Sequence, residues 1–334
     1  MSTSVQYFRK LSAVVATSSG QGIDFAQFRC VFQVRRGDFQ TPNSCDLRIF
    51  NLSKQTQNLI AGNEFTTLSL SAGYPGNFGL IFQGSIKQFR KGRVDGKDRF
   101  VDITAADGDA AYNFANIFYT APAGTTPSGI QAALLAAFQS KPFNQKIVQG
   151  YQPNFPNNGC VRGQVFCGPV RKEARTFAKT QQCKWSIQDG KYVNIPLTSF
   201  IPAAQIPVVS PTTGLLDVPE QTPQGLRLKV LLNPNMKIGQ LLQLQNTQVN
   251  QLRFGLSTTD LANNQIANTN LNSANPNSLY YVMAANHRGD TRGHGDDWVT
   301  EMTCLAVDAS ILTSEAANAL TAVGAQSIPR FPGS

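Results

Sequence analysis

The chain has 334 residues, 41% of them apolar, which is too long for one small core and apolar enough to build two or three. It carries 29 basic and 20 acidic residues, for a formal charge of +9, and no run approaches the roughly 18 consecutive apolar residues of a membrane-spanning helix. The opening MSTSVQYFRKLSAVV lacks the long apolar core and small-residue cleavage site of a secretory leader, so the chain is expected to be cytosolic when made.

Residues 1–107 hold 13 basic and 8 acidic side chains. The stretch FAQFRCVFQVR places Phe28, Cys30, Phe32 and Val34 on one face, and CDLRIF does the same for Cys45, Leu47 and Ile49; both are period-two strands with one buried side. NLSKQTQNLIAG then offers Ser53 as N-cap of a short helix and Gly62 as its stop. Strands at FTTLSLSAGY, FGLIFQGSIKQFR and DRFVDITAAD follow, the last two joined through Asp95 and Gly96. The densest basic cluster, Lys87, Arg90, Lys91, Arg93, Lys97 and Arg99, flanks that hairpin and reads as solvated strand faces. About six antiparallel strands with one small helix point to a barrel or sandwich.

Residues 108–196 change character, with 9 basic and 3 acidic residues. Thr126 and Pro127 are suited to N-cap and N1 of a helix whose buried stripe is Ile130, Leu134 and Phe138, stopping near Pro142. A second helix opens at Pro169, with Val170, Ala174, Phe177 and Ala178 at helical spacing. It leads into the hairpin CKWSIQDGKYVNIP. A two-residue Asp189-Gly190 turn would pair Trp185 with Asn194; a three-residue loop would pair Trp185 with Val193 and Cys183 with Ile195. The second register aligns the apolar faces and is the one expected. Trp185 then belongs to a core.

From residue 197 on, 7 basic residues face 9 acidic ones and strands return. GLRLKVLLNP alternates Leu226, Leu228, Val230 and Leu232 against Arg227 and Lys229, and GQLLQLQN follows a turn at Asn233-Pro234. Residues 246–278 are a polar, Asn-rich excursion, with nine asparagines. LYYVMAANH and WVTEMTCLAV are alternating strands, and 309–334 is a tail with an Ala-rich possible helix.

The last two strands flank NHRGDTRGHGDDWVTEM, which holds both histidines, His287 and His294. A metal needs ligands converging at about 2 Å on one ion, and a Gly-rich tip does not aim them. The tripeptide Arg288-Gly289-Asp290 is the composition of a tip in any case. The sequence shows no Walker A loop, strand-linked GxGxxG, HExxH or GxSxG, and no carboxylates that announce themselves as an acid/base pair. No catalytic residue, metal ligand or cofactor is therefore expected. Arg288, Asp290, Arg292, Asp296 and Asp297 are the candidate assembly contact, since arginines and aspartates form charge-assisted hydrogen bonds once partly desolvated. Of the six cysteines, Cys30, Cys45, Cys183 and Cys304 fall in alternating apolar patterns and read as core, whereas Cys160 and Cys167, with six residues between them, lie in a Gly-rich loop where pairing is open.

DLRIFNLS, AGYPGNFGLIFQGSI, WSIQDGKYVNIP, SPTTGLLDVPEQTPQGLRLKVLLNP, HRGDTRG and WVTEM resemble, in this order, the tail or baseplate hub proteins of tailed bacteriophages, over roughly residues 7–308. The resemblance implies a mainly β fold with an α+β connector: two tail-tube-like antiparallel β-barrels in one chain, 1–107 and 197–308, separated by 108–196. It further implies a homotrimer whose six barrels seat on a sixfold tail tube protein and offer threefold symmetry to a central spike protein, as in the hub portions of type VI secretion spikes. Other baseplate proteins and the tape measure protein are implied partners, with DNA passing through the channel without specific binding. The implied location is the virion tail tip, after assembly in the host cytoplasm. Alternatives are a hexameric distal tail or tube-initiator ring, a nucleic-acid-binding β-barrel, for which the charge would be the reason, and a cell-wall hydrolase.

Overall fold

The structure is a computed structural model that describes residues 8–17, 20–60, 65–94, 98–222, 225–245, 279–293 and 297–307. Gly62, the Asp95-Gly96 turn, Lys97, the Asn-rich 246–278, His294, Asp296 and the tail from 309 lie outside the described residues. The fold is mainly β. It divides into two compact units, Met1–Leu197 with His287–Trp298, and Thr198–Asn286 with Val299–Ser334.

The first unit opens with β1 (Lys10–Thr17), β2 (Gly22–Asp24), β3 (Cys30–Gly37), β4 (Ser44–Phe50), helix α1 (Lys54–Ile60), β5 (Phe65–Tyr74), β6 (Asn77–Val94) and β7 (Asp98–Ala106). These strands form an antiparallel sheet in the order β3-β4-β7-β6-β5-β1-β2. The expected faces are present: Cys30, Phe32, Val34, Cys45, Leu47 and Ile49 are all buried. Phe28 does not join them. Phe25, Ala26 and Phe28 form a turn in which the Asp24 carboxylate accepts from the Ala26 N–H and the Phe25 carbonyl accepts from Phe28, so the strand begins only at Cys30 and Phe28 stays partly exposed. Ser53 Oγ accepts from the Thr56 N–H at 3.0 Å, the N-cap expected of it. Lys87, Arg90, Lys91 and Arg93 are exposed along β6, as solvated strand faces should be.

The same unit continues with α2 (Asp109–Phe114), β8 (Asn116–Ala121), α3 (Pro127–Phe138), β9 (Val148–Gln149), β10 (Gln164–Pro169), α4 (Val170–Thr180), β11 (Cys183–Gln188) and β12 (Lys191–Pro196). Thr126 caps α3 by accepting from Gly129, Pro127 sits at N1, and Ile130, Leu134 and Phe138 are buried. Val170, Ala174, Phe177 and Ala178 are buried along α4. Tyr112 of α2, Phe138 of α3 and Tyr192 surround Trp185, each ring centroid 6.0 Å from its own, and the buried residues of α4 join the same core. Cys160 and Cys167 are both free thiols, the second exposed.

The hairpin register differs from the expectation. Trp185 pairs with Asn194 and Gln188 with Lys191, closing a two-residue Asp189-Gly190 turn. Two physical reasons decide it. Asp189 and Gly190 have φ of 52° and 74°, the type I′ geometry whose twist matches paired strands. In addition, β11 and β12 are buried on both sides, so aligning one apolar face carries no weight.

The second unit contains β13 (Val208–Val209), β14 (Glu220–Thr222), β15 (Gly225–Leu231), β16 (Leu241–Leu244), most of β17 (Leu279–Asp290) and most of β18 (Trp298–Ala306). The order is β14-β15-β18-β17, with β16 pairing β17 and β13 pairing β16 in parallel. Tyr280 and Tyr281 point to opposite faces of β17. Tyr280 joins a core with Leu228, Val230, Ile238, Leu242 and Met302, and Tyr281 one with Phe200, Leu241 and Leu305. The turn after β15 is closed by Asn233, whose Oδ1 accepts from Asn235. Among the described residues neither strand path closes into a barrel.

Trp185→Ala removes the ring on which two helices and a hairpin meet. It should cost about 3–5 kcal/mol, read as a lower midpoint in urea unfolding followed by circular dichroism, and Trp185→Phe should recover a large part of it.

Candidate functional site

The sheet of the first unit ends beside β17, whose last residues lie against β3. Thr291 ties them together: its N–H donates to the Cys30 carbonyl, and its hydroxyl accepts from the Cys30 N–H, both at 3.0 Å. Gly289 sits where Phe32 and Trp298 meet edge to face, with ring centroids 5.3 Å apart, and a Cβ there would stand 2.6 Å from both rings. This is why the tip needs glycine at that position.

Asp290 is the hub of the tip. Its carboxylate accepts from Arg29 Nη2 at 2.7 Å and from the Arg292 N–H at 2.9 Å, and Arg9 Nη1 reaches the Asp290 and Gly293 carbonyls at 2.7 and 2.9 Å. Burial pushes the Asp290 carboxyl up, but the Arg29 hydrogen bond, the Arg292 N–H and the charges of Arg29 and Arg9 outweigh it and hold it below its ordinary value. Asp290 is therefore committed within its own chain, and Arg288-Gly289-Asp290 is a packed strand end and not a free adhesive loop.

The other tip residues divide. Arg288 and Asp297 line a trough of about 760 Å³ on the sheet, together with Asp46, Arg48, Arg90 and Asp102. Arg292 is exposed, His287 is buried, and Asp296 and His294 lie outside the described residues. On the trough floor Asp102 accepts from Arg48 at 2.7 Å and from Arg90, and Arg48 lies 4.2 Å over the Phe100 ring. Burial raises the Asp102 carboxyl, and the two arginines together lower it below its usual range. Among the described residues no three His, Cys, Asp or Glu side chains come together as metal ligands. The trough is thus a mosaic of opposite charges, in which Asp102 answers Arg48 and Arg90, and Asp46 accepts from the Thr104 hydroxyl at 3.2 Å.

A second polar centre escaped the sequence reading. Asp107, at the end of β7, is buried and accepts from the Gly190 N–H at 2.8 Å, from Gln145 Nε2 at 2.9 Å and from the Asp189 N–H. Arg36 donates to Asp189 at 2.7 Å and to the Ile81 carbonyl, and Gln188 Nε2 donates to the Gly37 carbonyl at 2.7 Å. Asn43 donates to Gln188 Oε1 at 2.9 Å. The Asp189-Gly190 turn is thereby plugged into the ends of β3 and β7. Burial, then the charge of Asp189, raise the Asp107 carboxyl to about 6 against the pull of Gly190, Arg36 and Gln145. The signal available in sequence was the pair of short polar strings RRGDFQTPN and AADGD at strand ends, which reads equally well as ordinary loops.

No family model matches this chain, and no curated protein matches it in sequence. Solved structures do match. The tail protein from Neisseria meningitidis MC58 superposes with a TM-score of 0.52 at 12% identity, covering 89% of this chain and 96% of that one. The 43 kDa tail protein of prophage MuSo2 from Shewanella oneidensis gives 0.52 at 8% identity with the same coverage. This chain has the fold of phage tail proteins. That tail-protein fold extends to the Francisella PdpA-VgrG complex, with a TM-score of 0.51 at 9% identity, where 90% of this chain spans 53% of the matched one.

Asp290→Ala should cost about 1–2 kcal/mol, because it leaves the Arg292 N–H without its acceptor and Arg29, itself partly exposed, without its carboxylate, whereas Arg292→Ala should stay within about 0.5 kcal/mol; parallel urea titrations check both. The sign for Asp107 is opposite to that for Asp290. Its folded value of about 6 exceeds the unfolded value near 3.9, so its contribution is full below pH 4 and lost as pH rises through 6. Relative to Asp107→Asn, the natural chain should therefore lose about 2 kcal/mol between pH 4 and pH 7. A difference that is flat with pH would contradict this.

Proposed function

We propose that this chain is the structural hub of a phage tail tip or baseplate. Three copies form a ring that joins the sixfold tail tube to a threefold central spike, each contributing two related β units, 1–107 and 197–308, with 108–196 as connector. The observation that carries this reading is the likeness of fold over nearly the full length of two tail proteins, 96% of each. The ordered strings that resemble hub proteins support it from the sequence side, and the PdpA-VgrG likeness favours a role in contact with partner proteins. A trimer meets a sixfold tube without gross mismatch when each chain supplies two similar units, and closed rings of this kind use heterologous contacts.

In this reading the chain has no hydrolase activity of its own, and DNA passes its channel without base-specific contact. The tip contributes to assembly through Arg288, Arg292 and Asp297, with Asp296 as the fourth charged member, while Asp290 holds the tip in shape from within. Tail tube, spike, other baseplate proteins and the tape measure protein are the partners.

The test is a symmetry-resolved cryo-EM map of the assembled tail tip. Three copies on a threefold axis, with 1–107 and 197–308 superposing in the same strand order, are expected; six copies, or two regions of different strand order, would overturn the reading. Arg288→Ala with Arg292→Ala should lower the yield of assembled particles while the purified chain keeps its folded spectrum.

A further inference from the structure

The irregular segment between β9 and β10 is pinned on both sides of an exposed stretch. Gln152 accepts from Asn194 Nδ2 at 2.7 Å and donates to the Tyr192 carbonyl at 3.0 Å, and the Phe155 ring centroid lies 5.4 Å from that of Phe177. At the far end the Cys160 N–H donates to the Thr125 carbonyl at 2.9 Å, and the Cys160 carbonyl accepts from the Gly124 N–H at 2.8 Å. Between these anchors Pro156, Asn157, Asn158 and Gly159 are all exposed. Among the described residues neither the Asn158 side chain nor the Gly159 N–H makes a hydrogen bond.

Asn158-Gly159 is the single Asn-Gly pair of the sequence. The Cγ of an asparagine lies within reach of the backbone nitrogen of the next residue, and a nucleophile held that close acts at high effective concentration. Glycine as the next residue has no β-carbon to obstruct the approach and has the widest backbone freedom. Asn154 and Asn157, in the same segment, are followed by Phe155 and Asn158, whose side chains stand in the way.

The chain also holds three Asp-Gly pairs, which can close the same ring by losing water. Asp95-Gly96 lies outside the described residues. In the other two the nitrogen is occupied: the Gly108 N–H donates to Gln145 Oε1 at 2.7 Å and the Gly190 N–H to Asp107 Oδ1 at 2.8 Å, both in buried surroundings. Breaking a buried hydrogen bond before the attack adds to the barrier. Only the Gly159 nitrogen among these three is exposed and without such a bond.

We propose that Asn158 is a site of spontaneous deamidation through a cyclic imide formed with Gly159. The Gly159 nitrogen, its proton lost to hydroxide, attacks Asn158 Cγ; the N–Cγ bond forms, the Cγ–Nδ2 bond breaks, and ammonia leaves after Nδ2 takes a proton from water. Water then adds at either ring carbonyl. Opening at Cγ leaves aspartate, and opening at the main-chain carbonyl leaves isoaspartate, in which the main chain runs through the side-chain carbon. In balance one water enters and one ammonia departs, with no oxidant or cofactor. Either product adds a negative charge to a segment with 9 basic and 3 acidic residues. The isoaspartate also lengthens the main chain directly before Gly159, which packs so near Gly124 that a Cβ would stand 2.5 Å from the Gly124 carbonyl oxygen. The displacement falls on the two Cys160 bonds that close the loop just before the Thr126 cap of α3.

The test is peptide mapping of the full chain after incubation in the folded state at mildly alkaline pH. Trypsin should release peptide 147–162 in native, aspartyl and isoaspartyl forms, separated by chromatography and placed at Asn158 by fragmentation mass spectra. Conversion should slow as the pH is lowered, because the attacking nitrogen must first lose its proton. Asn158→Gln, which needs a larger ring, should lower it at least about tenfold, and the peptides holding Asp107-Gly108 and Asp189-Gly190 should stay without isoaspartate. An Asn158 that stays intact in the folded chain and converts only after urea unfolding overturns the proposal, since the fold then protects the loop. So does earlier conversion at Asn154 or Asn157, or aspartate with no isoaspartate, the mark of direct hydrolysis.

Discussion

The first unit depends on how the Asp189-Gly190 turn is held. A hairpin turn normally lies in water, where its N–H groups are satisfied without help. Here the turn is buried and its two N–H groups donate to the carboxylate of Asp107, while Arg36 answers the carboxylate of Asp189. Burying charges is costly unless each is paired and hydrogen-bonded; Gln145 donates to Asp107, and Gln188, held by Asn43, accepts from Arg36. The same hairpin carries Trp185 and Tyr192, the centre of the helical core. One polar plug thus fixes the helices and the connector hairpin against the strand sheet, and its directional bonds specify one arrangement where apolar contact alone would admit several.

The tip uses the same economy on a smaller scale. Asp290 draws in Arg29, Arg9 and the backbone of Arg292, so the end of β17 is anchored to β3 and to the residue before β1. Gly289 lets the backbone pass the Phe32 and Trp298 rings at a distance no side chain would allow. Charges not consumed in this way, Arg292 and Asp297, are the ones left at the surface, and the distinction between the two kinds could be drawn only once the partners were seen.

Much of the fold was legible from period and punctuation. Cys30, Phe32 and Val34, the Thr126-Pro127 helix start and the Leu226–Val230 alternation all lie where their patterns put them, because each has one wet and one dry side. Reading failed where that asymmetry was missing. β8 and β10 show no alternation of apolar with polar residues, since their outward positions include Phe118 and Val165, and they went unnoticed as strands. β11 and β12 are dry on both sides, so face matching chose the wrong register while the I′ turn chemistry of Asp189-Gly190 would have chosen the right one. At the tip, Arg288, Asp290, Arg292 and Asp297 were recognisable as a charged group, but Asp290's partners are about 260 to 280 residues away in sequence, a separation no local pattern reports.

These failures bear on how a chain can keep the tail-protein fold at 8–12% identity. A sheet core asks only for apolar residues at alternate positions, and many sequences satisfy that. Specific demands arise where backbone must come close, as at Gly289, or where a polar turn is buried, as at Asp189-Gly190, and those positions are few. The remaining surface is free to diverge with whatever it touches. An exposed Phe118 beside an exposed Val165 runs against that freedom, because a surface with no partner is under pressure to lose such groups for solubility. Phe118 and Val165 break the alternation, and that is what hid the ribbon from a reading by period.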